Sequence, residues 1–119
     1  MDIERHEKNP RAARAVVHGG VVYLAGMVAE EAFLTVAEQT QQVLAQMERR
    51  LESVGSGKAR LLSVTIYLAD MRRFDELNGV WDPWLDPENP PARACVEARM
   101  ARPGFEVEMT AIAAAGPAP

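Results

Sequence analysis

Apolar and polar residues recur along the chain with two different periods, and the switches between them mark the elements. Ala15-Val16-Val17-His18 and Val21-Val22-Tyr23-Leu24 are β-prone runs on either side of Gly19-Gly20. Both glycines can take positive φ, so the pair predicts a two-residue hairpin turn. That turn sets Val17 opposite Val22 and Ala15 opposite Leu24, with Arg14, Val16, His18, Val21, Tyr23 and Ala25 on the other face. The period then changes. Val36, Val43, Leu44, Met47, Leu51 and Val54 form one helical stripe. Thr35 and Glu38 have capping-box spacing at its start, and Gly55 supplies the stop.

A period of two returns over Leu61 to Ala69. Strict alternation puts Leu62, Val64, Ile66 and Leu68 on one face and Leu61, Ser63, Thr65 and Tyr67 on the other. Asp70 can cap a second helix whose apolar side is Phe74, Leu77, Trp81, Trp84 and Leu85. Pro83 lacks an N–H and predicts a kink or a fresh turn at Asp82-Pro83. Asp86 to Pro91 contains three prolines and reads as a loop. Ala92 to Arg99 and Phe105 to Ala113 alternate again around Ala101-Arg102-Pro103-Gly104, which predicts a second hairpin. Its apolar face would hold Ala92, Ala94, Val96 and Ala98 with Phe105, Val107, Met109 and Ala111. Its other face would hold Arg93, Cys95, Glu97 and Arg99 with Glu106, Glu108, Thr110 and Ile112. The simplest register sets Glu97 opposite Glu108 and Cys95 opposite Thr110.

Counting faces gives an α+β domain. Two amphipathic helices cover one face of a mixed sheet of five or six strands. The other face is expected to carry Tyr23, Tyr67, Leu61, Cys95 and Ile112 beside Arg93, Glu97 and Glu108. A half-apolar, charge-bearing face with no helix left to cover it predicts a homo-oligomer with sites near the subunit boundaries. The chain has 119 residues, enough for one self-sufficient core. The expected domain is residues 1–113, followed by a short flexible tail, 114–119.

Charge and composition narrow the function. The net charge is −4, and no strong basic face is evident, which argues against nucleic acid as a partner. No run approaches the ~18 continuous apolar residues of a membrane helix. The polar start, Met1-Asp2-Ile3-Glu4-Arg5-His6, has no apolar signal core, and a single cysteine, Cys95, fits a reducing, cytoplasmic setting. His6 and His18 are isolated and form no zinc pattern with Cys95, so no metal is expected. There is no nucleophile elbow, phosphate-cradling glycine loop or dinucleotide fingerprint. What remains is the last pair of strands. Arg93 offers a planar fork suited to a small carboxylate, or else pairs with Glu97 as an ordinary surface ion pair. Cys95 is a packed strand residue or a thiolate beside arginines.

Four segments, in order, resemble one family. Pro91-Ala92-Arg93-Ala94-Cys95-Val96-Glu97 resembles the Pro-Ala-Arg-x-Cys-Val-Glu signature of the RidA (YjgF-type) imine deaminases. Phe105-Glu106-Val107-Glu108 with Ala111-Ile112-Ala113 resembles that family's last strand. Thr65 to Asp70, then Phe74 and Asn78, resembles its middle strand and second helix, and Gly19 to Gly26 its first hairpin. The short segment between Gly26 and Thr35, with Trp81-Asp82-Pro83-Trp84, resembles the YoaB-like branch.

The resemblance implies a chorismate-mutase-like fold in a homotrimer, its sheets in a central barrel-like arrangement and its three clefts between subunits. It also implies cofactor-free hydrolysis of 2-imino or 2-enamino acids to 2-keto acids and ammonia. On that likeness Arg93 binds the substrate carboxylate, backbone near Cys95 holds the imine nitrogen, and Glu108 positions or activates water. Gly26 lets the backbone approach the ligand, with Asn78 and Arg14 as further substrate-binding residues. The chain departs from the family at Ala12-Ala13-Arg14, where an aromatic hydroxyl is common, and at Ala25-Gly26-Met27, where Ser-Gly-Gln is usual. The loop Val28 to Leu34 is also short, so the pocket rim is altered. A non-catalytic trimer that binds small carboxylates or acts as a regulator is the alternative reading. RNA cleavage, ascribed to some relatives, fits the acidic charge balance least.

Overall fold

The structure is a computed structural model that describes residues 2–116. The Gly19-Gly20 hairpin forms as its sequence predicts. Strands β2 (Ala13–His18) and β3 (Val21–Val28) pair with Val17 opposite Val22 and Ala15 opposite Leu24, and both glycines have positive φ. A preceding strand, β1 (Glu4–Lys8), pairs antiparallel with β2. Its side chains are mostly solvated and its composition polar, so no hydrophobic period announced it.

Helix α1 (Val36–Ser53) begins with the predicted capping box. Thr35 Oγ1 accepts from the Glu38 N–H at 3.1 Å, and Glu38 Oε1 accepts from the Thr35 N–H at 3.1 Å. Gly55 follows with φ of +76°, a left-handed stop that suits glycine. Strand β4 (Leu61–Leu68) departs from strict alternation at its start. Its register against the last strand slips between Leu61 and Ser63, so Leu61 is buried at 6 % exposure while Leu62 is 50 % exposed. One extra residue in a ladder moves every side chain before it to the opposite face. From Val64 onward the predicted alternation holds.

A short 3-10 turn (Met71–Arg73), capped by Asp70, leads into α2 (Phe74–Trp84). No fresh turn starts at Pro83. The helix runs through it and ends one residue later, since a proline in the last turn removes one bond without stopping the preceding turns.

The last two strands, β5 (Ala92–Glu97) and β6 (Val107–Ala114), do not form a hairpin. The sheet order is β1-β2-β3-β6-β4-β5. β5 lies parallel to β4, and β6 is inserted between β3 and β4, antiparallel to both. A strand, a helix and a following strand make a parallel crossover, and α2 is that crossover. Residues 98–106 then pass over the end of β4, where the Ala98 N–H donates to the Leu68 carbonyl and the Ala69 N–H to Glu106.

Both helices pack on one face, as predicted. Val43, Leu44, Met47 and Leu51 of α1 and Leu77 and Trp81 of α2 meet Leu24, Met27, Val64, Ile66, Val107 and Met109 of the sheet. The other face has no layer over it, and the described chain is a slab 43 × 38 × 20 Å. Tyr23, Val96 and Ile112 are exposed there. β6 continues through Ala114, and the Ala115 N–H donates to Gly20, so two residues of the expected tail are tied into the sheet. Residues 117–119 lie outside the described residues.

Candidate functional site

The revised topology also revises the faces. In β5, Arg93 pairs with Val64, Cys95 with Ile66 and Glu97 with Leu68, so all three lie on the helix side of the sheet. Cys95 packs partly against the core, and burial pushes its thiol pKa up, with the Arg93 charge opposing. That makes it a poor thiolate. Glu108, on β6, pairs with Tyr67, and Thr110 with Thr65, so these lie on the uncovered face. The predicted cluster of Arg93, Cys95, Glu97 and Glu108 on one polar face is therefore divided by the sheet. Glu97 and Glu108 do not face each other, nor do Cys95 and Thr110.

On the helix side, α2 builds a holder for Arg93. Asn78 Oδ1 accepts a hydrogen bond from Arg93 Nη1 at 2.8 Å. The guanidinium carbon lies 5.2 Å from the Trp81 ring centre and 5.7 Å from that of Phe74. Phe74, Asn78 and Trp81 recur at helical spacing and so share one face of α2. Contact with two rings and a hydrogen bond to one amide restrict the fork's orientation. Glu97 does not neutralise it, because its carboxylate accepts the Met71 N–H at 2.9 Å. Among the described residues no carboxylate comes within ion-pair distance of Arg93, and its side chain is exposed.

On the other face, β3 carries a bulge between Leu24 and Met27 where it pairs with β6, and Gly26 sits in it. A methyl group at Gly26 would collide with the Glu108 carboxylate, which lies directly over this residue. Gly26 is thus required first by Glu108. Glu108 also lines a cavity of about 220 Å3 with Tyr67, Ala98, Arg99, Met100 and Thr110.

The loop 98–106, whose first residues line this hollow, is locked to the segment before α1. Gln39 is fully buried, and its amide N–H groups donate to the Leu34 and Gly104 carbonyls while its Oε1 accepts the Glu106 N–H. Phe33, at φ of +65°, adds a bond from its N–H to Gly104. The sequence gives little notice of this tie, because a glutamine on a helix reads as surface.

Arg14 stays away from both half-sites. β2 is separated from β5 by three strands, and Arg14 lines a different cavity with Arg49 and Arg50 of α1. No group of three or more potential metal ligands occurs among the described residues.

Comparison with known proteins places this arrangement. The family described as Endoribonuclease L-PSP matches residues 7–115. A RutC family protein of Haemophilus influenzae is 40 % identical over 117 residues, covering 95 % of this chain and 98 % of its own. The RutC family protein YoaB of Escherichia coli is 36 % identical over 114 residues, covering 96 % and 99 %. The chain belongs to the RidA/YjgF family. A solved YjgF-family structure from Neisseria meningitidis superposes with a TM-score of 0.95 at 48 % identity, covering 99 % of this chain and 98 % of that one. The RidA/YjgF fold expected from the signature around Arg93 is therefore the fold observed. The two-sided placement of Arg93 and Glu108 belongs to a member of that family.

Proposed function

We propose that the protein is a cofactor-independent cytoplasmic deaminase that hydrolyses 2-imino or 2-enamino acids to 2-keto acids and ammonia, with each site shared by two copies of the chain. The observation that carries this reading is the Arg93 guanidinium, held by Asn78, Trp81 and Phe74 and left without an acid. A carboxylate of a small substrate supplies the missing partner through a two-point, charge-assisted contact.

The chemistry asks little of the protein. A 2-imino acid is already electrophilic at C2, so catalysis is mainly orientation and water placement. Arg93 fixes the carboxylate, and backbone groups beside Cys95 hold the imine nitrogen. Glu108 takes a proton from water as the oxygen adds to C2. The nitrogen gains protons, the C–N bond breaks, and ammonia leaves with the 2-keto acid behind. Within one chain Arg93 and Glu108 are on opposite faces, so one molecule cannot present both to one substrate. A second copy whose uncovered face meets the β5 edge brings them together. The trimer that the family likeness implies, with its sheets in a central barrel-like arrangement and its clefts between subunits, would take that form and would also cover Tyr23, Val96 and Ile112.

Imines generated in place by an amino-acid oxidase test the proposal. The wild type is expected to accelerate ammonia release, and Arg93→Ala to reduce kcat/KM on the order of 100-fold, as loss of a two-point charged contact implies. An Arg93→Ala variant as fast as wild type would remove the reading. An inactive wild type that still binds 2-keto acids through Arg93 would favour the carboxylate-binding alternative.

A further inference from the structure

The hollow beside Glu108 holds a second arginine that the proposed reaction leaves unused. Arg99 and Glu108 line the same 220 Å3 cavity, together with Tyr67 and Thr110. They are not paired: no ion pair of either occurs among the described residues. Glu108 instead turns toward Gly26. The hollow is therefore lined by an acidic and a basic residue that do not pair, together with two hydroxyl-bearing side chains.

The backbone fixes Arg99 here. Ala98, just before it, is bonded to Leu68 at the end of β4, and Gln39 anchors the far end of the same loop at Gly104 and Glu106. An arginine on such a loop is presented to the hollow without an ion pair to hold it there.

We infer that Arg99 is a specificity-determining residue that takes a second, distal carboxylate, so that the site favours imines of dicarboxylic amino acids over those of small aliphatic ones. This rests on the deaminase reading for the roles of Arg93 and Glu108. With the first carboxylate on one copy's Arg93 and the reacting carbon near the other copy's Glu108, the proposed pose directs the substrate's side chain into the cavity that Arg99 lines beside that Glu108. An apolar side chain there would strip water from the guanidinium and return no bond. A carboxylate returns two, in the planar geometry the fork provides. Tyr67 and Thr110 hydroxyls can donate to the same group.

The experiment compares imines made from glutamate and from alanine, with wild type, Arg99→Gln and the control Arg102→Gln. Arg99 borders both this cavity and a neighbouring one of about 610 Å3, whereas Arg102 lines only the latter. Arg99→Gln is expected to lower kcat/KM for the glutamate imine about 10- to 100-fold, the effect of losing a charged hydrogen bond. The alanine imine should change little, and Arg102→Gln should change neither. Equal losses on both imines, or no loss on either, would overturn the inference. Equilibrium binding of 2-oxoglutarate against pyruvate gives an arm independent of turnover. A wild type inactive on every imine defeats the deaminase reading, yet selective loss of 2-oxoglutarate binding in Arg99→Gln would still uphold this assignment, and its absence would end it.

Discussion

Gly26 and Glu108 are directly coupled in the candidate site. The backbone at Gly26 is bare because the Glu108 carboxylate occupies the space a side chain would need. Gly26→Ala is therefore expected to displace the carboxylate and lower kcat more than it lowers melting temperature, since the far end of a glutamate can move aside. Steady-state kinetics beside thermal unfolding separates the two effects, and a wild-type kcat with a lowered melting temperature would contradict the pairing. The arginine signature made Arg93 legible as a candidate from sequence. Its holder was not: Phe74 and Trp81 read only as an apolar helix side, and nothing in their spacing says that a cation rests against them. Trp81→Leu keeps an apolar residue in the core, at some cost in stability from the space the ring leaves, while loosening Arg93, and should raise KM more than it changes kcat.

The hairpin, α1 and α2 were legible because each carries a local signal: a glycine pair with positive φ, a capping box, a period of 3.6. Local signals are also the ones that mutation tests most simply. Thr35→Ala removes the acceptor at the start of α1 and should cost about 1 kcal/mol. That corresponds to about 4 °C in melting temperature for a domain of this size. The carboxyl of Asp70, at the start of the turn before α2, is held at about 2 chiefly by its hydrogen bonds with the Arg72 side chain and backbone. Its folded value lies below the ordinary carboxylate value. Its contribution is therefore complete above about pH 4 and disappears as the pH falls toward 2. Wild type should be more stable than Asp70→Asn near neutrality, with the difference closing in acid. A difference that widened in acid would reverse that sign.

What the sequence concealed is non-local. β5 and β6 follow each other and alternate alike, so they resemble a hairpin. The decisive fact is that β4, a helix and β5 form a crossover, which puts β5 beside β4 and leaves β6 to enter between β4 and β3. β1 is polar on both faces, and the slip at Leu61–Leu62 is set by pairing with β6. Neither leaves a periodic trace. Only a β5–β6 hairpin would put Arg93 and Glu108 together on one face, and β5 pairs with β4 instead.

For the whole molecule, the corrected topology makes oligomerisation a condition of the proposed chemistry. One chain presents Arg93 from the helix side and Glu108 from the bare side, so a complete site needs both surfaces from different copies. Subunit complementation tests this most directly. Arg93→Ala and Glu108→Ala are each expected to be inactive as pure proteins. Co-expressed with different affinity tags and purified as mixed oligomers, they should regain ammonia release from 2-imino acids, because one kind of interface then joins an intact Arg93 to an intact Glu108. Mixed oligomers that form and remain as inactive as the parents would contradict a shared site.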